Sequence, residues 1–167
     1  MKRILVFLAM FVPACGGNYP PLETVESVDL ERYMGKWYEI ARLPNSFQED
    51  CWNSTAEYEI IDSETVRVIN RCEEDSAGGP IEEATGKAWV VEGSNNAKLK
   101  VSFFWPFKGD YWILELDDDY RWVAVGTPSR EYLWILARER EMDDEVYESL
   151  LPKLREKGFD VAQLIRQ

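Results

Sequence analysis

Histidine is absent from all 167 residues of the chain. Its absence excludes a Ser-His-Asp triad, a Cys-His dyad, a histidine general base and a histidine ligand for a metal ion. Cysteine is also scarce, with three in the whole chain, so a thiolate metal site has too few ligands. We therefore expect no metal site and no cofactor, and any catalytic site would have to use carboxylate, lysine or tyrosine side chains.

Positive charge is in short supply, because 19 Lys and Arg residues stand against 31 Asp and Glu residues. A surface with a formal net charge of −12 repels phosphate backbones, which argues against nucleic acid as a partner. It also argues against adhesion of this surface to anionic lipid, and the plainest role of the charge is solubility. Aromatic residues, by contrast, are abundant: seven Trp and eight Tyr suit a core or a pocket for an apolar ligand.

Long hydrophobic runs are missing too, and the first apolar run, residues 4–12, is too short to span a bilayer. With the basic start Lys2-Arg3 it predicts a secretion signal. Ala14-Cys15 at its end resembles the cleavage site of bacterial lipoproteins, in which the Cys becomes the lipidated first residue. The resemblance implies a signal peptide over residues 1–14, an acyl anchor (palmitate or similar) on Cys15, and a tether over residues 15–27. Because Gly16 rather than Asp follows the Cys, the resemblance also implies an anchor in the outer membrane, on its periplasmic face. The alternative is ordinary cleavage, in which Cys15 carries no lipid.

Two further cysteines, Cys51 and Cys72, remain after lipidation. A secreted protein is oxidised, so two thiols predict one disulfide. Closing that loop would stabilise the fold by roughly 3 kcal/mol in the chain-entropy model. A metal site with two cysteines is the rival interpretation, and it is poor because no histidine or further cysteine is available.

From Trp37 onward the chain falls into short alternating runs of apolar and polar residues, separated by turn residues. Asp62-Ser63-Glu64, for example, separates two such runs and predicts a hairpin. Eight runs at this spacing favour an all-β fold, an up-and-down antiparallel meander. Eight such strands can close into a β-barrel that holds one small ligand. The expected strands are 37–42, 56–60, 66–71, 85–90, 98–103, 111–116, 121–125 and 132–138.

The end of the chain has helical periodicity instead. Asp143 is a good helix N-cap, and Val146, Leu150 and Leu154 recur every four residues, which predicts a helix packed on the outside of the barrel. Gly158 is a suitable stop. Pro152 should kink this helix or delay its start, and a last short strand is expected over residues 159–165.

Three segments resemble the lipocalin family. Gly35-Lys36-Trp37 resembles its Gly-x-Trp signature, Asp119-Tyr120 its second conserved segment and Arg138 its third. Residues 37–42 and 132–138 resemble in particular the bacterial lipocalins, the subgroup close to apolipoprotein D. The resemblance covers roughly residues 22–165, and we place the barrel domain with its helix at residues 28–167.

The resemblance implies a structural role for these residues. In the family the Trp closes one end of the barrel, and the Arg lies across its ring and meets nearby backbone carbonyls. A guanidinium over an indole contributes about 0.5–2 kcal/mol. Gly35, Trp37, Asp119, Tyr120 and Arg138 are therefore expected to determine the fold rather than to contact a ligand.

Alternation predicts which side chains face the cavity. On the middle strands the apolar sets offer small Gly86 and Ala88, which leave room, and two large rings with a polar hydrogen, Tyr58 and Trp112. Carboxylates at positions 57 and 59 fall on the opposite face, so these apolar faces offer no carboxylate. The predicted ligand contacts are Tyr58, Ala88, Val101, Phe103, Trp112 and Leu114.

The resemblance implies a membrane-anchored protein that stores or transports fatty acids, lysophospholipids or similar ligands and is not an enzyme. Two alternatives remain: a structural or stress-related envelope lipoprotein with a packed barrel, and an isomerase on a lipocalin barrel. The apolar loop Phe104-Trp105-Pro106-Phe107 could form part of a rim, touch the membrane or join two copies of the chain as a homodimer.

Overall fold

The structure, a computed structural model, describes residues 19–167. Cys15 and the predicted signal peptide lie outside the described residues. The described part contains, in chain order, α1 (Leu30–Tyr33), β1 (Gly35–Arg42), β2 (Cys51–Ile60), β3 (Thr65–Glu74), β4 (Ile81–Val90), β5 (Lys98–Ser102), β6 (Gly109–Leu116), β7 (Trp122–Gly126), β8 (Leu133–Ala137), α2 (Asp144–Glu156), a short 3₁₀ helix (Val161–Gln163) and β9 (Ile165–Arg166).

Strands β1 to β8 pair antiparallel, each with the next, and β8 pairs back with β1. The sheet thus closes on itself into an eight-stranded barrel, which confirms the predicted fold class. Among the described residues, no helix is long and apolar enough to span a membrane.

The strand directions give the barrel two different ends. At the open end, loops 43–50, 75–80, 103–108 and 127–132 connect neighbouring strands. At the closed end lie α1 and loops 61–64, 91–97 and 117–121. The hairpin turn predicted at residues 62–64 is one of these closed-end loops.

Buried side chains form two clusters separated by the barrel wall. The inner cluster fills the lower barrel and includes Trp37, Tyr58, Val66, Val68 and Ile113. The outer cluster lies between the barrel and α2, where Tyr147, Leu150 and Leu154 pack against strands β1, β6, β7 and β8. The predicted packing of the helix outside the barrel is therefore confirmed.

The ends of α2 follow from local chemistry. Asp143 Oδ1 accepts hydrogen bonds from the backbone N–H groups of Glu145 and Val146, as an N-cap does. Gly158 has a φ of +95° just beyond the helix, a conformation that glycine adopts without strain. Pro152 does not delay the start of the helix, which begins at Asp144 and continues to Glu156.

Two boundaries differ from the sequence prediction. The strand expected over residues 159–165 is mostly wrong: Phe159 is buried in the outer cluster, and only Ile165–Arg166 pair with β1. Packing also begins before residue 28, because Leu22 belongs to the outer cluster and the N–H of Val25 donates to the carbonyl of Ile113. Part of the predicted tether is therefore bound to the barrel.

Candidate functional site

Trp37 closes the barrel at the end where the chain enters it. Its side chain is completely buried, and its indole N–H donates to the carbonyl of Tyr33 at 2.9 Å. The Arg138 guanidinium carbon lies 3.8 Å from the centre of the indole ring, so the cation covers one face of the Trp. This is the arrangement that the family resemblance implies.

Arg138 ties three closed-end segments to each other. Its guanidinium donates to the carbonyls of Lys36 at 3.0 Å, Arg32 at 2.7 Å and Tyr120 at 3.3 Å. Gly35 has a φ of +89°, and a Cβ there would lie 3.5 Å from the guanidinium. The Arg138 side chain therefore binds backbone carbonyls at the closed end and does not face a ligand.

The two residues of the second motif differ in their surroundings. The Tyr120 hydroxyl accepts a hydrogen bond from the N–H of Asp29 at 2.8 Å, and Arg32 covers its ring at 4.2 Å. Asp119 is exposed. The neighbouring Asp117 carries the ion pair instead, with both carboxylate oxygens bound to Arg121.

A cavity lies above Trp37, inside the lower barrel. The volume of this cavity is about 20 Å³, which is room for about one water molecule. The cavity is apolar apart from three tyrosines. Its lining residues are Leu30, Tyr33, Met34, Tyr58, Val66, Val68, Ala88, Leu99, Val101 and Tyr111.

The three tyrosine hydroxyls satisfy one another inside the barrel. The Tyr111 oxygen lies 2.7 Å from that of Tyr33 and 2.9 Å from that of Tyr58. Burial raises the pKa of Tyr58 to about 12 and holds the pKa values of Tyr33 and Tyr111 well above their usual range. At neutral pH the cavity therefore presents hydroxyl groups and no phenolate.

Four of the predicted ligand contacts face the barrel interior. Tyr58, Ala88 and Val101 line the cavity, and Phe103 packs against the inner cluster closer to the open end. Gly86 does not leave the free room expected of it. A Cβ at Gly86 would lie 2.8 Å from the Phe103 ring, so the ring occupies that space.

Trp112 and Leu114 do not face the interior, and the prediction for these two residues is wrong. Both belong with the outer cluster, Leu114 as a buried member and Trp112 packed against it. Tyr111 and Ile113 point inward instead. A register shift between Ile113 and Glu115 is the physical reason, because a bulge reverses the alternation that was counted through it.

A buried ion pair is the feature of the interior for which the sequence makes no prediction, because the inward face of the first strand is left open. Glu39 and Arg42 lie opposite Leu136 and Trp134 of β8, which face inward. Their carboxylate and guanidinium are 2.6 Å apart, with side chains 4% and 5% exposed. Glu39 shares the inward face of Trp37 by simple alternation, and the bulge between Glu39 and Ala41 brings Arg42 to the same face. The middle strands, for which no inward carboxylate was predicted, are not affected by this pair.

Neighbouring groups complete the polar network around this pair. Arg42 also donates to the carbonyls of Gln48 at 2.7 Å and Cys51 at 3.2 Å. The Gln48 amide donates to Glu39 at 2.9 Å, and its oxygen accepts from the Trp134 indole at 2.9 Å. The network ties loop 43–50 to the barrel wall at the open end.

The upper part of the barrel interior, at the open end, is accessible to solvent. The predicted disulfide between Cys51 and Cys72 is confirmed, and it joins β2 to β3 at this end. Asn70 and Ala84 pair across β3 and β4 in the same register as the inward Val68 and Gly86, yet both are exposed. This part of the interior is therefore reached by solvent.

Comparisons with known proteins agree with this architecture. The model of the lipocalin-like domain family matches residues 28–167. Outer membrane lipoprotein Blc of Vibrio cholerae is 37% identical over 162 residues, 96% of this chain and 94% of that protein. The protein of the same name from Escherichia coli K12 is 39% identical over 159 residues, 94% of this chain and 89% of that protein.

Among solved structures, insecticyanin from the tobacco hornworm superimposes with a TM-score of 0.73 at 21% identity, over 90% of this chain and 86% of that chain. This likeness shows the fold. The two bacterial relatives are named outer membrane lipoproteins, which confirms the location predicted from the amino-terminal residues. Because the family model spans most of the chain and both relatives exceed 30% identity over nearly its whole length, the chain belongs to the lipocalin family.

Proposed function

We propose that this protein binds the acyl chain of a fatty acid or lysophospholipid inside its barrel, is held in the outer membrane by a lipid on Cys15, and catalyses no reaction. The observation that carries the proposal is the closed barrel whose interior is apolar below and open to solvent above. Family membership supports the ligand class, and the side chains of the inner cluster form the walls of the proposed binding site.

An acyl chain would enter through the open end and run down towards Tyr58. The lower cavity has room for about one water molecule, so its floor must give way as the chain arrives. Leu30 and Met34 line that floor, and the unbranched Met side chain adapts readily to a new neighbour. Burying about ten methylenes contributes roughly 8 kcal/mol at most. Ordering of chain and side chains reduces this, so a micromolar dissociation constant is expected.

The interior is poorly equipped for catalysis. Tyr58 keeps its proton, because burial raises its pKa to about 12, so it is a weak general base at neutral pH. Glu39 is a carboxylate, but Arg42 and Gln48 occupy its oxygens. These observations support binding over an isomerase activity.

The test is a titration of the mature protein with a long-chain fatty acid or lysophospholipid, followed by tryptophan fluorescence. Ala88→Leu adds three carbons to the cavity wall and should weaken binding at least tenfold. Trp112→Ala is the matched control, because Trp112 lies outside the barrel, and its affinity should stay within twofold of the wild type. Circular dichroism would verify the fold of both variants. Binding that is sensitive to Trp112 and indifferent to Ala88 would place the ligand on the outer surface and refute the proposal.

A second candidate function is favoured by the small size of the cavity. A barrel that is already packed suits a structural or stress-related envelope lipoprotein. Mass spectrometry of lipids extracted from protein purified from its host separates the two functions. A stoichiometric lipid supports the acyl-binding protein, whereas a lipid-free barrel that also ignores added ligand supports the packed one.

A further inference from the structure

Exposed apolar side chains gather at the open end of the barrel. Within residues 19–167, six of the ten exposed large hydrophobic residues lie in its loops or at the strand ends beside them. At the closed end there are two, Ile60 and Ile61. The six at the open end are Phe47, Trp52, Ile81, Phe104, Trp105 and Phe107.

Loop 103–108 is the centre of this apolar rim. Phe104, Trp105 and Phe107 are 80%, 75% and 78% exposed, so the barrel itself gives these rings almost no cover. The N–H of Phe107 donates to the carbonyl of Phe104 at 2.9 Å, and this turn holds the segment in a compact loop. Three large rings left in water on one loop indicate a partner that removes them from water.

The amino-terminal segment meets the barrel at the same end. Arg130, in loop 127–132, donates to the carbonyl of Pro20 at 2.7 Å, and its guanidinium carbon lies 5.1 Å from the centre of the Tyr19 ring. Loop 127–132 follows β7, which pairs with β6, and β6 follows loop 103–108. The chain therefore leaves the described part of the molecule beside the apolar loop.

The distance left for the tether is short. Four peptide units separate Tyr19 from Cys15, and fully extended they reach about 14 Å. If Cys15 carries the anchor, the bilayer surface lies within about that distance of loop 127–132. A tether that leaves from this end holds the open end, rather than the closed end, towards the lipid.

Charge decides what kind of lipid surface fits. Acidic residues crowd the neighbouring side of the open end, at Glu73, Glu74, Asp75, Glu82 and Glu83. Such a surface is repelled by anionic headgroups. Contact through the rings of loop 103–108 must therefore depend on apolar insertion, which an uncharged, zwitterionic bilayer permits.

We propose that Phe104, Trp105 and Phe107 insert into the bilayer that holds the anchor, so that the mouth of the barrel faces the membrane and exchanges its ligand there. The proposal rests on the lipid anchor of the proposed function and adds an orientation and an insertion loop. Aromatic rings suit the boundary between headgroups and acyl chains, where Trp and Phe are accommodated well.

Insertion is tested with the mature lipidated protein in phosphatidylcholine vesicles that contain brominated phosphatidylcholine, whose bromines quench nearby tryptophans. Trp105→Phe should remove a large part of the quenched fluorescence. Trp122→Phe is the matched control, because Trp122 packs on the outer cluster away from the open end, and it should leave the quenched part unchanged. Equal quenching in the wild type and Trp105→Phe would overturn the proposal. So would quenching that increases when anionic phosphatidylglycerol is added.

A second measurement separates this orientation from ligand binding itself. Phe104→Ser/Phe107→Ser should slow the transfer of a fluorescent lysophospholipid from vesicles to the protein at least fivefold. Its affinity for the same lipid without vesicles should remain that of the wild type. Ile60→Ser/Ile61→Ser, at the closed end, should change neither quantity. Loss of affinity in every protein would refute the acyl-binding function, whereas normal affinity with an unchanged transfer rate would refute the insertion loop alone.

Discussion

Trp37 and Trp112 lie on opposite sides of the barrel wall, although both are expected inside the barrel from the sequence. Trp37 is fully buried, with Arg138 over its ring and Tyr33 accepting its N–H. Trp112 is half-buried outside, where its N–H donates to Asp110 at 3.2 Å and Lys98 covers its ring at 4.1 Å. The same residue type therefore contributes very differently to stability.

Trp37→Ala should lower the free energy of unfolding by about 3–5 kcal/mol, as removal of a buried aromatic ring does. Trp112→Ala should cost clearly less, because its ring is partly in water and leaves no sealed cavity. Urea denaturation of both variants, followed by circular dichroism, gives the comparison. Equal losses for the two would contradict the role of Trp37 as the closure of the barrel.

The ion pair between Glu39 and Arg42 is the second residue-scale feature with a large expected effect. Both groups have left water, and each depends on the other and on Gln48 for compensation. Arg42→Met should lower the free energy of unfolding by about 3–5 kcal/mol, because it leaves the buried carboxylate of Glu39 without its cationic partner. The double variant Glu39→Gln/Arg42→Met should cost less than Arg42→Met alone.

A matched control for this cycle is the exposed pair of Arg67 and Glu59, whose side chains are 50% and 46% exposed. Arg67→Met should change the free energy of unfolding by less than about 1 kcal/mol. If Arg42→Met were as mild as Arg67→Met, the buried network would have no special weight in the fold.

At the scale of elements, the sequence predicts the fold well where alternation is unbroken. On strands β2, β4 and β5, the predicted contacts Tyr58, Ala88 and Val101 line the cavity. The hairpin at residues 62–64 and the cap at Asp143 also follow from short-range chemistry. The family resemblance adds what periodicity alone does not give, namely closure of the sheet into a barrel.

The wrong prediction for Trp112 and Leu114 has one physical origin, a β-bulge. In β6 a bulge after Ile113 separates the outward Trp112 and Leu114 from the inward Leu116, although all three alternate in the sequence. In β1 a bulge after Glu39 brings Arg42 to the face of Glu39 and Trp37. A bulge costs one residue of register and reverses every later side chain. Nothing in the alternation of a single strand shows where it falls, because only the pairing with the neighbouring strand defines it.

The disulfide belongs to the hairpin of β2 and β3. It lies at the open end, where the ladder is irregular between Trp52 and Thr55, and it spans a sequence separation of 21. Cys51→Ser/Cys72→Ser should lower the free energy of unfolding by roughly 3 kcal/mol in the chain-entropy model. Urea denaturation measures the loss, and wild-type protein reduced with dithiothreitol is the control.

Chemical labelling checks the same bond independently. Alkylation of unfolded, unreduced mature protein should label neither Cys51 nor Cys72, and prior reduction should expose both. Labelling of both without reduction would show that the thiols are free in the protein as isolated.

At the scale of the whole molecule, both ends of the described part, residues 19–167, are fixed to the barrel. The amino-terminal segment contacts Arg130 at the open end through Pro20 and contacts Tyr120 at the closed end through Asp29. The carboxyl-terminal β9 pairs with β1. The helix α2 covers the outside between them. In the orientation proposed above, the open end of the barrel meets the membrane, and α2 packs on the outside of the barrel wall.

The anchor itself is the prediction on which the whole-molecule picture depends. Cys15→Ser should prevent lipidation and move the protein from the outer-membrane fraction to the periplasm, or block its maturation at precursor size. Labelling of cells with radioactive palmitate, followed by fractionation and electrophoresis, measures both outcomes, and Cys51→Ser/Cys72→Ser controls for cysteine loss without loss of the anchor. Because the first strand of the barrel begins at Gly35, the released protein should keep its fold and its acyl-chain affinity. Normal size, label and membrane location in Cys15→Ser would show that another part of the chain holds the protein at the envelope.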